Sequence, residues 1–592
     1  MKFKDIQKYS QNFKNYWLQY IMLFLGIDLV SQFIIIPVFR YLTTYILQAG
    51  AIPFVSYQNV VIIITQHTFV FLALIIELLV LIGVIYVEFS FLLIGIRNIS
   101  KNKFVFKEMF IKTGQAVKQM HPGSYLLITV YFVLVIPFAD IIYRTPLLSK
   151  IKIPEFILDY MTRNGVLITI LIIFYVIIGT LGIRLIYTLP IMIFEKEKTW
   201  KAMKKSWQQT RNFRWGKLLL KGAILLIMSS LLLIGFYCSF YALQLVWDVF
   251  PGKLSQILAI IDLTVIQIVS ELILIWSSVV AFLILFEPFD FDIKSVATEN
   301  KSKKVTISVI GMAVFLIGMS VANNSIYLSE KNSKAPIIIS HRGVSEENGV
   351  QNTIPALKKT AKLKPDYVEI DLHETRDKQF VVMHDENLKK LTGKDKTPKD
   401  LTLKELTKLT VSENKHSARI VSFDQYLKEA QKLHQKLLIE IKTTPNDSKG
   451  MLERFNKKYG KIILKNHDKV QSLDYRVVEE LKKINPKLNV MYIQPYNFTY
   501  PEGRADGYSM EYSTLNSDFI WQSHIKNHPV YAWTVNDGNL VKKLMFDSVD
   551  GVITDNVPEV KEAIRDYQDN STYANRILNY ILVLPTHSSL EV

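Results

Sequence analysis

Long runs of Ile, Leu, Val and Phe fill the chain as far as residue 325, and beyond that point the sequence becomes polar and charged. No single solvent suits both halves. An apolar run of about 20 residues is long enough to cross the hydrocarbon core of a bilayer as a helix. By that measure there are about seven candidates, at 17–39, 68–96, 125–143, 165–194, 218–246, 254–286 and 305–324. The apolar stretch from Ala51 to Thr65 is too short and reads as a re-entrant or interfacial segment. The 49% hydrophobic content of the 592 residues reflects this first half. The organisation expected is an all-α polytopic membrane helix bundle over 1–330, followed by a second domain over 331–592.

The net charge of +17 raises the question of a nucleic-acid partner. Residues 1–330 hold about 30 Lys and Arg against about 18 acids, a concentration that suits membrane loops better than a phosphate-binding groove. With a cytoplasmic N-terminus, the inside segments carry about 22 Lys and Arg and the outside loops about 6, which is the positive-inside pattern. Seven crossings from that start put the second domain outside the cell. The expectation is therefore a multi-pass cell-membrane protein with membrane lipids as neighbours and no nucleic acid. Cys238 is the sole cysteine, so no intramolecular disulfide can form. The polar, basic stretch Met1 to Tyr16 has no cleavage site after a short apolar core and does not read as a removable signal peptide.

Two inside loops, around Lys103 to Met120 and Lys198 to Lys217, space basic and aromatic residues as a helix would. They suit either a headgroup-layer helix or one packed under the bundle. Asp28, Glu77, Glu88, Asp140, Arg184, Asp262 and Glu271 fall inside the spans, where charge is expensive and needs a partner. The simplest expectation pairs Arg184 with a glutamate.

From Pro336 onward, short apolar strands alternate with charged, helix-like stretches. Strands are expected at 336–340, 367–371, 379–383, 437–441, 469–472, 489–493, 506–510, 530–534 and 551–554. The alternation argues for a parallel α/β sheet closed as a TIM-type (β/α)8 barrel. That is one strand too many for eight, so one must be a hairpin arm or loop.

The reactive side chains cluster at or just beyond the C-terminal ends of these strands, where barrels build their sites. Glu369, Asp371 and Glu440 suit a hard cation such as calcium or magnesium, with strand alternation pointing Glu369 and Asp371 the same way. His341 and His384 suit a general acid and base pair. Arg342 and Lys442 supply positive charge for an anionic substrate. Together these groups converge on cleavage of a phosphodiester. His373 reads as a rim residue, Asp385 as one that orients its loop, and the lysine-rich stretch Lys389 to Lys404 as a solvated face. The tail from Asn570 reads as a final packing helix or one in contact with the membrane.

The runs HRGVSEENGVQNTIPAL, DYVEIDLHETRDKQFVVMHDENLKKLTG, LLIEIK, VQSLD, YAWTVND and DGVITDN resemble the glycerophosphodiester phosphodiesterase family in content and order over 336–565. The multispan half resembles the membrane domain that some members carry. The resemblance implies one divalent cation, Ca2+ or Mg2+, held by Glu369, Asp371 and Glu440, with acid–base roles for His341 and His384. It implies phosphate contacts for Arg342 and Lys442 and a place for Trp533 in the pocket wall near the glycerol. The substrate would be a glycerophosphodiester, lipid-derived or not, and the products glycerol 3-phosphate and an alcohol. The family commonly reads Pro-Glu-Asn-Thr where this chain has Val350, Gln351, Asn352 and Thr353, so Gln351 is not placed among the metal ligands. Alternatives are the same chemistry on a lysolipid or a glycerophosphate polymer, or a lipid-handling membrane protein with an accessory barrel.

Overall fold

A computed structural model describes residues 2–50, 60–118, 155–162, 164–211, 214–289, 303–329, 334–496, 503–569 and 572–583, with isolated positions between them. Among these, six helical stretches are long and apolar enough to cross a membrane: Lys4–Ala49, Thr68–Ser100, Gly165–Glu195, Trp215–Trp247, Gly252–Leu285 and Lys303–Ser329. They correspond to six of the seven expected spans. The seventh, 125–143, lies outside the described residues apart from Tyr125 and Thr129.

The bundle carries many large apolar side chains on its outside, Phe69, Val166 and Leu231 among them. That is the arrangement a helix takes when lipid is its solvent. Its interior core joins the first helix to Thr68–Ser100 and Gly252–Leu285 through Tyr20, Leu93, Val279 and Phe282. The first helix contains a π turn over Ser31–Ile35, just ahead of Pro37, whose missing N–H breaks the regular ladder. At one end of the bundle, Lys221 pairs with Asp5 at 2.9 Å and with Glu287 at 2.7 Å.

Inside the spans, Thr43 Oγ1 donates to Glu77 at 2.6 Å. No ion pair joins Arg184 to a glutamate among the contacts of the described residues. Its guanidinium lies 4.6 Å from the Trp207 ring centroid and donates to the Thr210 carbonyl. An aromatic face and a helix-end carbonyl satisfy an arginine without a second buried charge. The two loop helices, Phe106–Lys118 and Thr199–Gln209, combine both expectations. Met109 and Ala202 are buried against the bundle, while Phe110, Trp200 and Trp207 remain exposed.

The described residues of the second half contain eleven strands: β1 (Ile337–Ser340), β2 (Tyr367–Glu374), β3 (Phe380–Val382), β4 (Thr410–Glu413), β5 (His416–Arg419), β6 (Lys436–Ile441), β7 (Lys469–Ser472), β8 (Val490–Gln494), β9 (Gly507–Glu511), β10 (Val530–Trp533) and β11 (Gly551–Thr554). Eight of them form a parallel sheet in the order β1-β11-β10-β9-β8-β7-β6-β2, and β1 also pairs β2, which closes the barrel. The extra strand is β3, which runs antiparallel on β2 as a hairpin arm. The hairpin β4–β5 was not anticipated. Its residues are largely exposed, so it lacks the apolar alternation that marks a strand.

Alternation along each barrel strand separates two layers. Val368, Ile370, Leu372, Leu437, Ile439 and Ile441 face outward into a core shared with the surrounding helices, including Tyr426, Phe455 and Tyr459. Full burial of each such aliphatic side chain contributes roughly 1.5–3 kcal/mol. A smaller interior cluster contains Ile339, Leu438, Met491, Tyr531 and Ile553. The tail forms the helix Tyr573–Val583, which packs through Ile577 and Ile581 on Ala259, Leu263, Ile266 and Leu328 of two spans. It is thus a packing helix seated on the membrane bundle.

Candidate active site

Parallel pairing of β2 with β6 sets Asp371 opposite Glu440 and Glu369 opposite Leu438. Since successive strand residues point to opposite faces, Glu369 and Asp371 enter the barrel together, as do Glu440 and Lys442. One oxygen each from Glu369, Asp371 and Glu440 lies within 4.8 Å of the others, and all three residues are buried. Lys442 Nζ stands 3.1 Å from Asp371 Oδ1 and 2.6 Å from Glu440 Oε1.

Charge concentrated at such a site divides the acids. Burial, with the neighbouring charges of Asp371 and Glu440, pushes the Glu369 carboxyl well above its ordinary value. Burial acts on Asp371 too, but Lys442, His384 and Arg342 overcome it and hold that carboxyl below the usual range. Burial opposes the charge on Lys442, yet Glu440 and Asp371 keep the ammonium protonated far into the alkaline range. Among the described residues, Asp371 Oδ1 and Glu440 Oε1 meet no polar partner besides the Lys442 ammonium. Three buried carboxylates with oxygens of this kind, offset by one ammonium, are a donor set that fits a hard divalent cation.

The first His-Arg-Gly turn follows β1. Gly343 takes φ +68°, and a Cβ there would lie 2.6 Å from Tyr426 Oη, so the turn accommodates no side chain at that position. Arg342 is itself in the left-handed region, at φ +52°. This costs local strain and aims its backbone N–H at Glu369 Oε2, 2.8 Å away. Its side chain donates from Nε to His341 Nε2 at 3.1 Å and from Nη1 to Gln351 Oε1 at 3.0 Å. His341 Nδ1 is 2.9 Å from Asp555 Oδ1. With Nε2 accepting from Arg342, Nδ1 carries the proton and donates it to Asp555. That interaction lowers the Asp555 carboxyl to about 2, against the effect of burial.

His384 follows β3, with Nδ1 2.8 Å from Asp385 Oδ1. Burial lowers its imidazole below the usual value despite the opposing charges of Asp371 and Asp385. Asp385 thus orients its neighbouring histidine rather than the loop alone. His373 is not a rim residue. It is buried, and its Nε2 lies 3.1 Å from the His384 carbonyl. The alternation that brings Glu369 and Asp371 inward brings His373 inward as well. Trp533 is half-buried at the end of β10 against the interior cluster, donating from Nε1 to the Ser509 carbonyl at 3.0 Å.

Four contributors escaped the sequence reading. Asp555 lies one residue past β11, and the rule that sites gather at strand ends would have found it. Asn352 holds Asp371 by two hydrogen bonds, Nδ2 to Oδ2 at 2.9 Å and the Asp371 N–H to Oδ1 at 3.1 Å. Glu413 accepts from Gln351 Nε2 at 2.8 Å, across a hairpin that no pattern announced. Glu374, buried at the end of β2, receives Arg454 Nη2 at 2.5 Å, Ser448 Oγ at 2.8 Å and the Lys399 ammonium. Lys399 therefore does not belong to a solvated lysine face.

A family model described as the membrane domain of glycerophosphoryl diester phosphodiesterase matches residues 6–323. One described as the glycerophosphoryl diester phosphodiesterase family matches residues 341–559. YhdW of Bacillus subtilis, which carries a provisional glycerophosphodiester phosphodiesterase name, is 31% identical over 232 residues, covering 37% of this chain and 93% of that one. A glycerophosphodiester phosphodiesterase of Caldanaerobacter subterraneus is 25% identical over 241 residues, or 39% of this chain and 98% of that one. A human lysophospholipase D is 47% identical over 68 residues, or 12% of this chain and 21% of that one.

Proposed function

The chain belongs to the glycerophosphoryl diester phosphodiesterase family, and from that premise we propose that its barrel uses one divalent cation, Ca2+ or Mg2+, held by Glu369, Asp371 and Glu440, to hydrolyse glycerophosphodiesters to glycerol 3-phosphate and an alcohol. The observation that carries this reading is the buried carboxylate trio on β2 and β6, with His341 and His384 each oriented by its own carboxylate. When bound, the cation would offset phosphate charge and acidify a hydroxyl attached to it.

The protein groups divide the remaining work. One imidazole takes the proton of an attacking substrate hydroxyl while the other delivers one to the departing alcohol, and water then opens the cyclic phosphodiester so formed to leave glycerol 3-phosphate. The tautomer set by Asp555 leaves the lone pair on His341 Nε2, which favours His341 for the first step. Arg342 and Lys442 are the phosphate-facing cations, and Trp533 forms wall for the glycerol moiety.

The barrel faces the outside of the cell in this proposal. The positive-inside count supports a cytoplasmic N-terminus. Asp5 and Arg40 lie toward opposite ends of one helical stretch, kinked at Tyr16, and Arg40 is the end that touches the barrel. A second reading keeps the chemistry on a lysolipid, favoured by the 68-residue match to the lysophospholipase D.

The test is release of glycerol 3-phosphate from glycerophosphocholine by the full chain in detergent micelles. Release should require calcium or magnesium, stop with EDTA, and be absent in His341→Ala. Release that persists in EDTA would remove the cation from the proposal, and release by His341→Ala would remove His341.

A further inference from the structure

The loops at the C-terminal face of the barrel reach the membrane domain on one side. Ser513, two residues past β9, accepts at Oγ from the Glu155 backbone N–H at 3.0 Å. The adjoining Tyr512 N–H donates to the Trp533 carbonyl at 3.1 Å, so this contact begins at the strand end that carries the candidate glycerol wall. Further along, Arg40 grips Asp518 with both nitrogens, at 3.0 and 2.7 Å. Such a fork fixes orientation as well as distance.

Asp518 lies on the helix Ser517–Ile525. Phe519, Ile520 and Ser523 of that helix are buried against the barrel. The opposite face, at the spacing 518, 521 and 525, presents Trp521 at 61% and Ile525 at 58% exposure. These are among the few large apolar side chains exposed on the barrel, whereas such residues are numerous on the spans.

The depth of this face in the membrane follows from the first span. Arg40 is followed by Tyr41, 74% exposed, and by the exposed Tyr45, while the exposed Trp17 lies nearer the other end. At 1.5 Å per residue, Trp17 and Tyr41 are about 36 Å apart along the helix, the spacing of two aromatic belts around a hydrocarbon core of about 30 Å. Arg40 therefore sits at the headgroup level, and the Asp518 fork brings Trp521 and Ile525 to the same level.

We propose that the helix Ser517–Ile525 lies in the headgroup layer of the barrel-side leaflet, with Trp521 and Ile525 inserted into it, so that the mouth of the barrel beside β9 and β10 takes substrate held in that leaflet. Continuity with the Arg40–Asp518 and Glu155–Ser513 contacts identifies the occupant of this apolar face as the bilayer. The insertion stands on geometry alone; the delivery of substrate rests on the phosphodiesterase reading.

Two measurements on the full chain reconstituted into vesicles of phosphatidylcholine and phosphatidylglycerol test it. In a Cys238→Ser background, nitroxide labels are placed through Trp521→Cys, Ile525→Cys and, as a control on an exposed helix remote in sequence, Lys428→Cys. Labels at 521 and 525 should be relaxed by oxygen more than by a water-soluble nickel chelate, with the reverse at 428. Relaxation by the chelate at both 521 and 525 overturns the insertion. Separately, the double variant Trp521→Ala with Ile525→Ser should lose about tenfold on lysophosphatidylcholine in the vesicles and nothing on soluble glycerophosphocholine. Equal loss on both, or on neither, overturns the delivery. If the unmodified chain cleaves neither substrate, the phosphodiesterase reading fails while the labels still decide the insertion.

Discussion

His341 and Asp555 stand 214 positions apart in the chain, yet their side chains meet at 2.9 Å because β1 pairs β11, the first barrel strand with the last. The first strand contributes the imidazole and the last one its orienting carboxylate. Register across the seam places Ser340 beside Thr554, so the next residue on each strand emerges at the same height.

Asp555→Asn should therefore act through His341 rather than through binding. Loss of the carboxylate releases the tautomer that leaves Nε2 with its lone pair. A fall in kcat of about a hundredfold or more is expected, with KM little changed. Steady-state kinetics on glycerophosphocholine checks this, and a KM effect in place of a kcat effect would assign Asp555 to substrate binding.

Cation binding should stabilise the barrel apart from any catalysis. Mutual repulsion among Glu369, Asp371 and Glu440 is offset in part by Lys442 and more fully by a divalent ion. A cation present at about 100 times its dissociation constant adds about 2.7 kcal/mol to the folded state. Thermal unfolding with and without calcium or magnesium should show a rise in Tm that Glu440→Gln reduces or removes.

Glu374 gives a pH signature of its own. Burial opposes its charge, but Lys399, the Ser448 N–H and Arg454 outweigh it and depress the carboxyl below its ordinary 4.5. A depressed folded-state value means stability that is complete above the unfolded value and is lost as the pH falls through the folded one. Glu374→Gln should cost on the order of 3 kcal/mol at neutral pH. The difference in Tm from the unmodified chain should shrink as the pH falls below that ordinary value.

The family resemblance leads one to expect a glutamate at position 351, and the surroundings of Gln351 explain the amide. It accepts from Arg342 and donates to Glu413 at 2.8 Å, a donation that a carboxylate cannot make. Gln351→Glu should destabilise the barrel by about 1–3 kcal/mol. Adding Glu413→Gln should recover most of the loss, as a double-mutant cycle of unfolding free energies would report.

Ile577 is fully buried among residues of two spans. Ile577→Ala should weaken the docking of the helix Tyr573–Val583 by about 2–4 kcal/mol. Faster amide hydrogen exchange confined to that helix is the expected readout. Exchange unchanged in this segment would show that its hold comes from the polar contacts, such as Gln267 to Tyr580 and Asp248 to the Ala574 N–H.

What the sequence determined by itself was whatever depends on local chemistry repeated along the chain. Apolar length set the spans, because lipid admits only segments that satisfy their own backbone. Period-two alternation ending in charged residues located the barrel strands and turned Glu369 and Asp371 to one face. What the tertiary structure decided were the pairings between distant positions: β3 as the hairpin arm, Asp555 behind His341, Asn352 on Asp371 and Arg184 on Trp207. No pattern within a short window records such a pairing, because its energy comes from groups brought together only when the barrel closes and the helices pack. Asp518 on Arg40 is of the same kind, joining two halves whose solvents differ.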